Sequence, residues 1–252
     1  MIKTLRKLLV RTLGFERYIR FVSRVYLRLV GAGWGRTKYP ELFFLEKIIR
    51  PGFVCLDIGA NLGYYSVALS RLVGPTGKVL AVEPIPDFQA IWRDNVRLSG
   101  HNNLTLLPYA LGSENTTVQM GTPERAGLLH HGMTKVAASS PSETYARTYE
   151  VPMRVPDELL TDLDLSRLDF VKCDVEGFES VVFENLLGTL RRFRPLIQTE
   201  LNGLENRQTV VALLAGLGYK PFVLSARSEL VPCSEEQLLS AVTADFYFQT
   251  VS

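Results

Sequence analysis

An acidic residue accompanies each of three short apolar runs in this sequence. Asp57 opens the segment DIGANLGYYS, Glu83 ends the run KVLAVE, and Asp174 ends the run FVKCD. Carboxylates accept hydrogen bonds from hydroxyl groups, hold cations, and remove protons from alcohols that lie beside them. The three acids are therefore the first candidates for a site that binds a charged cofactor and carries out proton transfer.

The residues after Asp57 favour a ligand-binding turn. Gly59 and Gly63 permit a tight turn and a close approach to a ligand, and Asn61 is one of the few other residue types that tolerate a positive φ. The spacing G-x-N-x-G is not the dinucleotide fingerprint G-x-G-x-x-G, and the carboxylate before it would repel a pyrophosphate. That carboxylate can hold an ammonium or sulfonium group, while both oxygens of Glu83 can accept from a ribose. S-adenosylmethionine fits this description.

More charged residues surround the third acid. Lys172 points to the same side of its strand as Asp174, Glu176 and Glu179 follow at the start of a helix, and Glu200 ends the next apolar run. We predict Asp174 as general base or substrate anchor, with Lys172, Glu176 and Glu200 in the same catalytic group. In the alternative interpretation, the glutamates stabilise a helix start and Lys172 neutralises a nearby carboxylate.

Two other kinds of site have weaker support in the sequence. Asp174, Glu200 and Asn202 offer the hard oxygen ligands that Mg²⁺ prefers, but acids at strand ends more often bind substrate directly, so we predict no metal. His130 and His131 lie in a long loop and could act as a mobile base. Loop histidines are more often solvated surface residues, and we favour that interpretation.

The elements that position these residues alternate along the chain. Strands separated by helices of about a dozen residues predict right-handed βαβ crossovers, hence an α/β fold with a doubly wound, mainly parallel sheet. Its ligand site should lie beyond the carboxyl ends of the strands, near the first of them. The predicted strands are 53–58, 78–83, 104–110, 168–174, 195–201, 219–224 and 244–250, and the predicted helices are 62–73, 86–99, 178–190 and 209–217. Segment 113–155 breaks the alternation and predicts an inserted β-hairpin, with strands at 116–120 and 149–154.

Several of these runs resemble, in their order along the chain, the FkbM family of S-adenosylmethionine-dependent methyltransferases. The resemblance is carried by DIGANLGYYS at 57–66, VEPIP at 82–86, Asn95, ALG at 110–112 and KCDVEGFE at 172–179. It implies the Rossmann-like class I methyltransferase fold, with a seven-stranded sheet that is parallel except for one late antiparallel strand. It also implies O-methylation of a hydroxyl group on a sugar, glycolipid or polyketide-like acceptor.

The resemblance also implies roles for individual residues. The first loop would line the methionine part of the cofactor, Glu83 would bind its ribose, and residues 172–179 would face the methyl-transfer side. The implied cofactor-binding set is Asp57, Gly59, Asn61, Gly63, Tyr64, Glu83 and Ala110. The sequence departs from the family at VPDEL, 155–159, where a Thr-Leu-Asp-Asp-Leu-like run is usual, and this leaves the helix start after the hairpin open.

Basic residues are concentrated at the start of the chain. Residues 1–36 carry nine basic residues and one acid, a net charge of +8, whereas residues 37–252 carry 19 and 25, a net charge of −6. We predict a basic amphipathic helical extension over 1–36, broken near Gly14, and a methyltransferase domain over 37–252. Tyr18, Val22, Val25 and Leu29 share one helical face. This face either packs on the domain or contacts an anionic membrane surface; the same charge would also attract nucleic acid, which we do not expect as a partner.

The composition narrows the remaining alternatives. It is that of an ordinary globular protein, three cysteines are too few for a disulfide scaffold, and no apolar stretch reaches the ~20 residues of a transmembrane helix. We therefore expect a cytoplasmic protein, with peripheral membrane contact through residues 1–36 left open. An NAD(P)-type oxidoreductase and a non-catalytic module that binds a membrane or a partner protein are the competing hypotheses. No Asn/Asp-Pro-Pro-aromatic run follows the fourth strand, which argues against methylation of nucleic acid bases.

Overall fold

The computed structural model describes residues 10–12, 14–125, 128–129, 131–137 and 144–250. The first predicted helical piece of the N-terminal extension falls mostly outside these residues, as does His130. The helices are α1 (Phe15–Gly31), α2 (Pro40–Ile48), α3 (Tyr64–Val73), α4 (Pro86–Ser99), α5 (Pro156–Asp162), α6 (Glu179–Glu184), α7 (Leu187–Phe193), α8 (Leu204–Gly216) and α9 (Glu235–Ser240), with a short 3₁₀ turn at His131–Met133. The strands are β1 (Val54–Ile58), β2 (Lys78–Val82), β3 (Leu104–Leu107), β4 (Ala110–Leu111), β5 (Thr116–Arg125), β6 (Leu128–Leu129), β7 (Lys135–Val136), β8 (Tyr145–Arg154), β9 (Phe170–Cys173), β10 (Leu196–Glu200), β11 (Tyr219–Leu224), β12 (Leu230–Pro232) and β13 (Asp245–Thr250).

The main sheet confirms the predicted doubly wound, mainly parallel architecture. Its order is β12-β11-β13-β10-β9-β1-β2-β3. Strands β3, β2, β1, β9 and β10 pair in parallel, and β13 runs antiparallel between β10 and β11. The seven expected strands are therefore present with one late antiparallel strand. The sheet also has an eighth strand, the three-residue β12, which pairs antiparallel with β11 at the edge.

Helices cover both faces of this sheet, which explains why its central strands are apolar on both sides. Successive residues point to opposite faces, so Cys55 packs beneath α2 and α3 while Leu56 packs against the helices on the other side. Cys55 and Cys173 are fully buried free thiols, as the sequence predicts. The carboxyl ends of β1, β2, β9 and β10 meet at one edge of the sheet.

The predicted hairpin is present and longer than expected. Strands β5 and β8 pair antiparallel from Thr116 opposite Met153. They form a second sheet, in which β4 pairs in parallel with β8. The predicted strand 104–110 is therefore wrong at its end: it stops at Leu107, because Pro108 has no N–H to donate to a ladder. This second sheet lies over the carboxyl edge of the first, where Met120 and Val151 pack with α1 and α4.

Three helices begin or end at positions that the sequence patterns did not specify. The predicted helix 178–190 is two helices, and Asp157 explains the restart, because its carboxylate accepts from the backbone N–H groups of Gly188 and Thr189 at 2.8 Å each. Helix α8 begins five residues early, after Gly203 at φ 80°. Helix α5 begins with Pro156 in its first turn, which settles the helix start left open above.

Helix α1 does not pack on the domain through the whole face that the spacing predicts. Tyr18 is buried, but Val22, Val25 and Leu29 are exposed. The packed face instead carries Ser23, which is completely buried and accepts a hydrogen bond from Asn95 of α4. Apolar periodicity alone missed this face because a buried contact between α1 and α4 is a hydrogen bond between a serine and an asparagine, not an apolar contact. None of the helices among the described residues is long and apolar enough to cross a bilayer.

Candidate active site

The loop after β1 is held at the carboxyl edge of the sheet by its backbone. The N–H groups of Gly59 and Ala60 both donate to the Val82 carbonyl, at 3.1 and 2.9 Å. Gly59 has φ 79°, and a Cβ there would lie 1.9 Å from the Asp174 carbonyl oxygen, so only glycine fits between the ends of β1 and β9. Gly63 has φ 88° and also ends the loop, because a Cβ would lie 2.7 Å from the Trp92 ring.

Glu83 fixes the other side of this loop. One carboxylate oxygen accepts from the Asn61 N–H and the other from the Ile85 N–H, at 2.8 Å each. Asn61 takes the predicted positive φ, 49°. Burial raises the pKa of Glu83 to about 7, although the two backbone N–H groups favour the charged form and act to lower it. The carboxylate that sequence reasoning assigned to ribose binding therefore also organises the loop.

A buried chain of charges runs beneath the loop. Asp57 is fully buried and accepts from the Ser66 hydroxyl at 2.6 Å, and the Lys172 ammonium lies 3.9 Å from its other oxygen. The same ammonium donates to Asp174 at 3.1 Å and lies 4.7 Å from the ring centroid of Tyr65. Burial acts to lower the pKa of Lys172, but the two carboxylates outweigh it and the pKa is raised. Burial likewise raises the pKa of Asp57, an effect that Lys172 partly offsets.

Two cavities open at this edge of the sheet and meet at Gly59, Asn61, Gly132 and Asp174. The first cavity, of about 740 Å³, brings together Asn61, Glu83, Ala110, Asp174 and Glu176 from the predicted set. Its apolar wall includes Phe88 of α4 and Met120 and Val136 of the second sheet, which sequence reasoning missed.

The second cavity, of about 1410 Å³, lies on the other side of Asp174 and receives Lys172, Glu200 and Tyr64. Its other walls include Tyr26, Tyr39, Glu41 and Asp245. Sequence reasoning missed these four residues. Asp245 had a usable signal, because it also stands at one end of an apolar strand. Since β13 runs antiparallel to β10, the end of β13 that reaches this edge of the sheet is its first residue.

Glu176 and Glu179 have different surroundings despite their closeness in sequence. Glu179 accepts from the Val175 and Gly177 backbone N–H groups and from Asn206, which supports its interpretation as a structural residue at a helix start. Glu176 has φ 56°, a strained conformation for a non-glycine residue that is common at functional sites. No side chain among the described residues forms a hydrogen bond or salt bridge with its carboxyl group. Burial, with Asp174 and Glu200 nearby, raises the pKa of Glu176 to about 8.

Glu200, another predicted site residue, lies beside a second carboxyl group at the end of β10. Glu200 accepts from Asn202 at 2.9 Å, and Asp245 stands directly opposite Glu200 in the β10–β13 ladder. Burial, reinforced by Glu41 and Glu200, raises the pKa of Asp245 to about 7. Over the part of the chain that the structure describes, no group of three or more His, Cys, Asp or Glu side chains is placed to hold a metal ion. The side chain of His131 lies outside the described residues.

The chain is similar in sequence to known methyltransferases. A model of the methyltransferase FkbM domain matches residues 57–221. The protein-L-isoaspartate O-methyltransferase of Aeropyrum pernix is 37% identical over 92 residues, which is 36% of this chain and 32% of that protein. Its counterpart from Methanococcoides burtonii is 31% identical over 93 residues, 37% and 42% of the two chains. The chain thus spans less than half the length of these curated relatives.

A solved structure of low sequence identity supports the assignment of the fold. A structure from Clostridium thermocellum described as an rRNA methylase is 10% identical, with a TM-score of 0.50 over 84% of this chain and 94% of that one. A methyltransferase FkbM from Methylobacillus flagellatus is 13% identical, with a TM-score of 0.46 over 82% and 50%. The matched family span contains the acids at the ends of β1, β2 and β9. Tyr26 and Asp245 of the second cavity lie outside it.

Proposed function

The chain belongs to the FkbM family of S-adenosylmethionine-dependent methyltransferases, and from this premise we propose that it methylates a hydroxyl group of a sugar, glycolipid or polyketide-like acceptor. Its fold is that of the class I methyltransferases and its cofactor is S-adenosylmethionine. The observation that carries the O-directed proposal is Glu176, a carboxyl with a pKa of about 8 beside the junction of the two cavities. An alcohol needs such a base, whereas a carboxylate or phosphate acceptor has no proton to lose.

The first cavity fits the cofactor. Each Glu83 oxygen accepts one backbone N–H and keeps lone pairs for the hydroxyls of a ribose. Asn61 Oδ1 is buried and has no hydrogen-bond partner among the described residues, so it can accept from a ligand amino group. Ile85, Phe88 and Met120 provide apolar surface for a flat ring. When bound, S-adenosylmethionine supplies a sulfonium-activated methyl group that is transferred by in-line displacement.

The protein side chains then position the acceptor and take its proton. Lys172 holds Asp174 at the junction of the cavities, and we assign Asp174 the anchoring of the acceptor hydroxyl. Glu176 accepts the proton as the oxygen forms its bond to the methyl carbon. Positioning contributes roughly 7–11 kcal/mol in favourable cases, and a base adds about 10²- to 10⁴-fold. Sequence reasoning assigned Asp174 as base or substrate anchor, and the proposal now divides these two roles between Glu176 and Asp174.

Calorimetry of cofactor binding tests this assignment of the first cavity. We expect the wild-type protein to bind S-adenosylmethionine and S-adenosylhomocysteine, and Glu83→Ala to bind both at least tenfold more weakly, about 1.4 kcal/mol, because the ribose and loop contacts are lost together. Glu114→Ala, at an exposed turn, is the matched control and should bind normally. Equal affinity in Glu83→Ala would contradict the role of Glu83.

The same titration separates the competing hypotheses. Binding of NAD in place of S-adenosylhomocysteine by the folded protein would favour the oxidoreductase. Binding of neither would favour the non-catalytic module.

Methylation of a carbohydrate and lipid extract with ¹³C-methyl cofactor then tests the O-directed proposal, since NMR distinguishes a methyl ether from a methyl ester or an N-methyl group.

A second proposal concerns peripheral contact of α1 with an anionic membrane surface. Phe21, Val25 and Leu29 are exposed to 58%, 39% and 42%. Arg24 and Arg28 are exposed on the adjoining face of the same helix. An exposed apolar stripe beside a basic stripe is the arrangement of interfacial helices, and each basic residue adds about 1 kcal/mol near anionic lipid. This contact would bring lipid-linked acceptors to the protein.

Co-sedimentation with vesicles tests the membrane proposal. We expect the protein to pellet with phosphatidylcholine vesicles that contain phosphatidylglycerol and much less with phosphatidylcholine alone. Val25→Asp with Leu29→Asp should lower the bound fraction at least tenfold, because two charges enter the apolar stripe. Val242→Asp, at a fully exposed valine elsewhere on the surface, is the matched control. Equal pelleting of the stripe variant and the wild type would discard the proposal.

A further inference from the structure

The second cavity is continuous with the cofactor cavity. The two meet at Gly59, Asn61 and Asp174, and the second extends from there along the carboxyl edges of β9 and β10. A molecule in it would reach the atoms that we assign to methyl transfer. Its lining therefore determines which acceptors the protein takes, an inference that rests on the proposed function.

One wall of the second cavity is aromatic. The ring centroid of Tyr26 lies 4.4 Å from that of Tyr64 and 5.6 Å from that of Tyr39. Tyr26 belongs to α1 and Tyr39 precedes α2, and both lie outside the matched family span, whereas Tyr64 lies inside it. Aromatic faces provide flat apolar surface for a sugar ring and attract cations.

Another part of the lining is acidic, with more acidic than basic side chains. Glu41, Asp174, Glu200 and Asp245 line the cavity, and Lys172 is the basic residue among its lining residues. Asp174 and Asp57 already hold that ammonium. Over the described residues, no salt bridge reaches Glu41, Glu200 or Asp245. Glu200 and Asp245 stand opposite each other on adjacent strands, an arrangement that destabilises a sheet when both are charged.

Two buried residues that line the same cavity each have one side-chain polar atom without a partner among the described residues. Gln198 is 2% exposed and donates to the Tyr65 hydroxyl at 3.1 Å, but its Oε1 accepts from none of the described residues. Thr199 is 1% exposed and its hydroxyl is likewise without a partner in that part of the chain. A buried polar atom left unsatisfied costs about 1–3 kcal/mol. A ligand that donates hydrogen bonds would remove that cost.

From these observations we propose that the second cavity binds an acceptor that carries a protonated amino group beside its hydroxyls, as an amino sugar does. The ring lies against the tyrosine wall. The ammonium lies near Glu200 and Asp245, where it neutralises the like-charged pair. Acceptors with a carboxylate or phosphate at this place are repelled.

Calorimetry with paired oligosaccharides tests the inference in the presence of saturating S-adenosylhomocysteine. The probes are a glucosamine trimer and the N-acetylglucosamine trimer, which share their rings and differ in the charge on nitrogen. We expect the glucosamine trimer to bind at least tenfold more tightly. Asp245→Asn should remove that preference, and Tyr26→Ala should weaken both trimers. Asp164→Asn, at an exposed acid outside the cavity, should change neither.

The cofactor titration distinguishes failure of this inference from failure of the proposed function. Equal binding of the two trimers, tighter binding of the acetylated trimer, or binding of neither by protein that still binds S-adenosylhomocysteine overturns the inference and leaves the proposed function standing. Loss of S-adenosylhomocysteine binding by the folded wild-type protein would instead overturn the proposed function. Unchanged S-adenosylhomocysteine affinity in Asp245→Asn and Tyr26→Ala shows that both variants are folded.

Discussion

Replacing Glu176 by glutamine is expected to lower kcat by about 10²- to 10⁴-fold, the contribution of a well-placed general base. Glutamine keeps the size and hydrogen-bonding reach of the side chain but cannot accept the proton of an attacking alcohol. Because the pKa of Glu176 is raised to about 8 by burial and by Asp174 and Glu200, its carboxyl is mostly protonated at neutral pH. The wild-type rate should therefore rise with pH through about 8 and then level off. Initial rates over this pH range measure both effects.

Two further variants make the expectation specific. Glu184→Gln, eight residues later at the exposed last position of α6, should leave both the rate and the pH profile unchanged. Asp174→Asn should mainly raise KM for the acceptor, because it weakens anchoring and leaves the base in place. If Glu176→Gln retained the rise through pH 8, another group would be the base.

Replacing Lys172 by methionine is expected to lower the free energy of unfolding by about 3–5 kcal/mol, the cost of removing one partner from a buried ion pair. Lys172 is 6% exposed and Asp57 is 0% exposed. Methionine fills the space of the lysine chain but leaves the Asp57 carboxylate without a counterion in a fully buried position. Urea unfolding followed by circular dichroism measures the change.

An exposed ion pair in the same structure is the control. Arg167 and Asp169 are 2.6 Å apart, but Arg167 is half exposed, and Arg167→Met should cost no more than about 1 kcal/mol. In the double variant Lys172→Met with Asp57→Asn, part of the loss should be recovered, because no unpaired charge remains. An unfolding midpoint for Lys172→Met equal to that of Arg167→Met would mean that the buried chain of charges stabilises the fold no more than an exposed ion pair does.

The loop beside the first cavity was predictable because its signals are local. Gly59, Asn61 and Gly63 take their positive-φ backbone conformations within six residues of Asp57, and Glu83 stands at the end of an apolar strand. In a parallel sheet such ends meet at one edge, so sequence spacing was enough to place them together. The central strands and most helices followed from the same short-range patterns.

The lining of the second cavity was not predictable because distant segments build it. Tyr26, Glu41 and Asp245 come from the two ends of the chain and meet only through the sheet order. The pairing of Asp245 with Glu200 depends on an antiparallel strand inserted between β10 and β11, which no local pattern specifies. The break between α6 and α7 likewise depends on Asp157, about thirty residues earlier in the chain.

The attachment of α1 to the rest of the domain limits how this helix can be removed in an experiment. The Asn95 side-chain amide donates both to the Ser23 hydroxyl and to the Leu62 carbonyl, so one buried group links α1 to the loop that follows β1. A shortened protein that lacks residues 1–36 would expose this amide and lose Tyr26 as well. It would differ from the 252-residue protein both in this loop and in the tyrosine wall of the second cavity. Point substitutions on the outer face of α1 are therefore the cleaner reference for any assay of this helix.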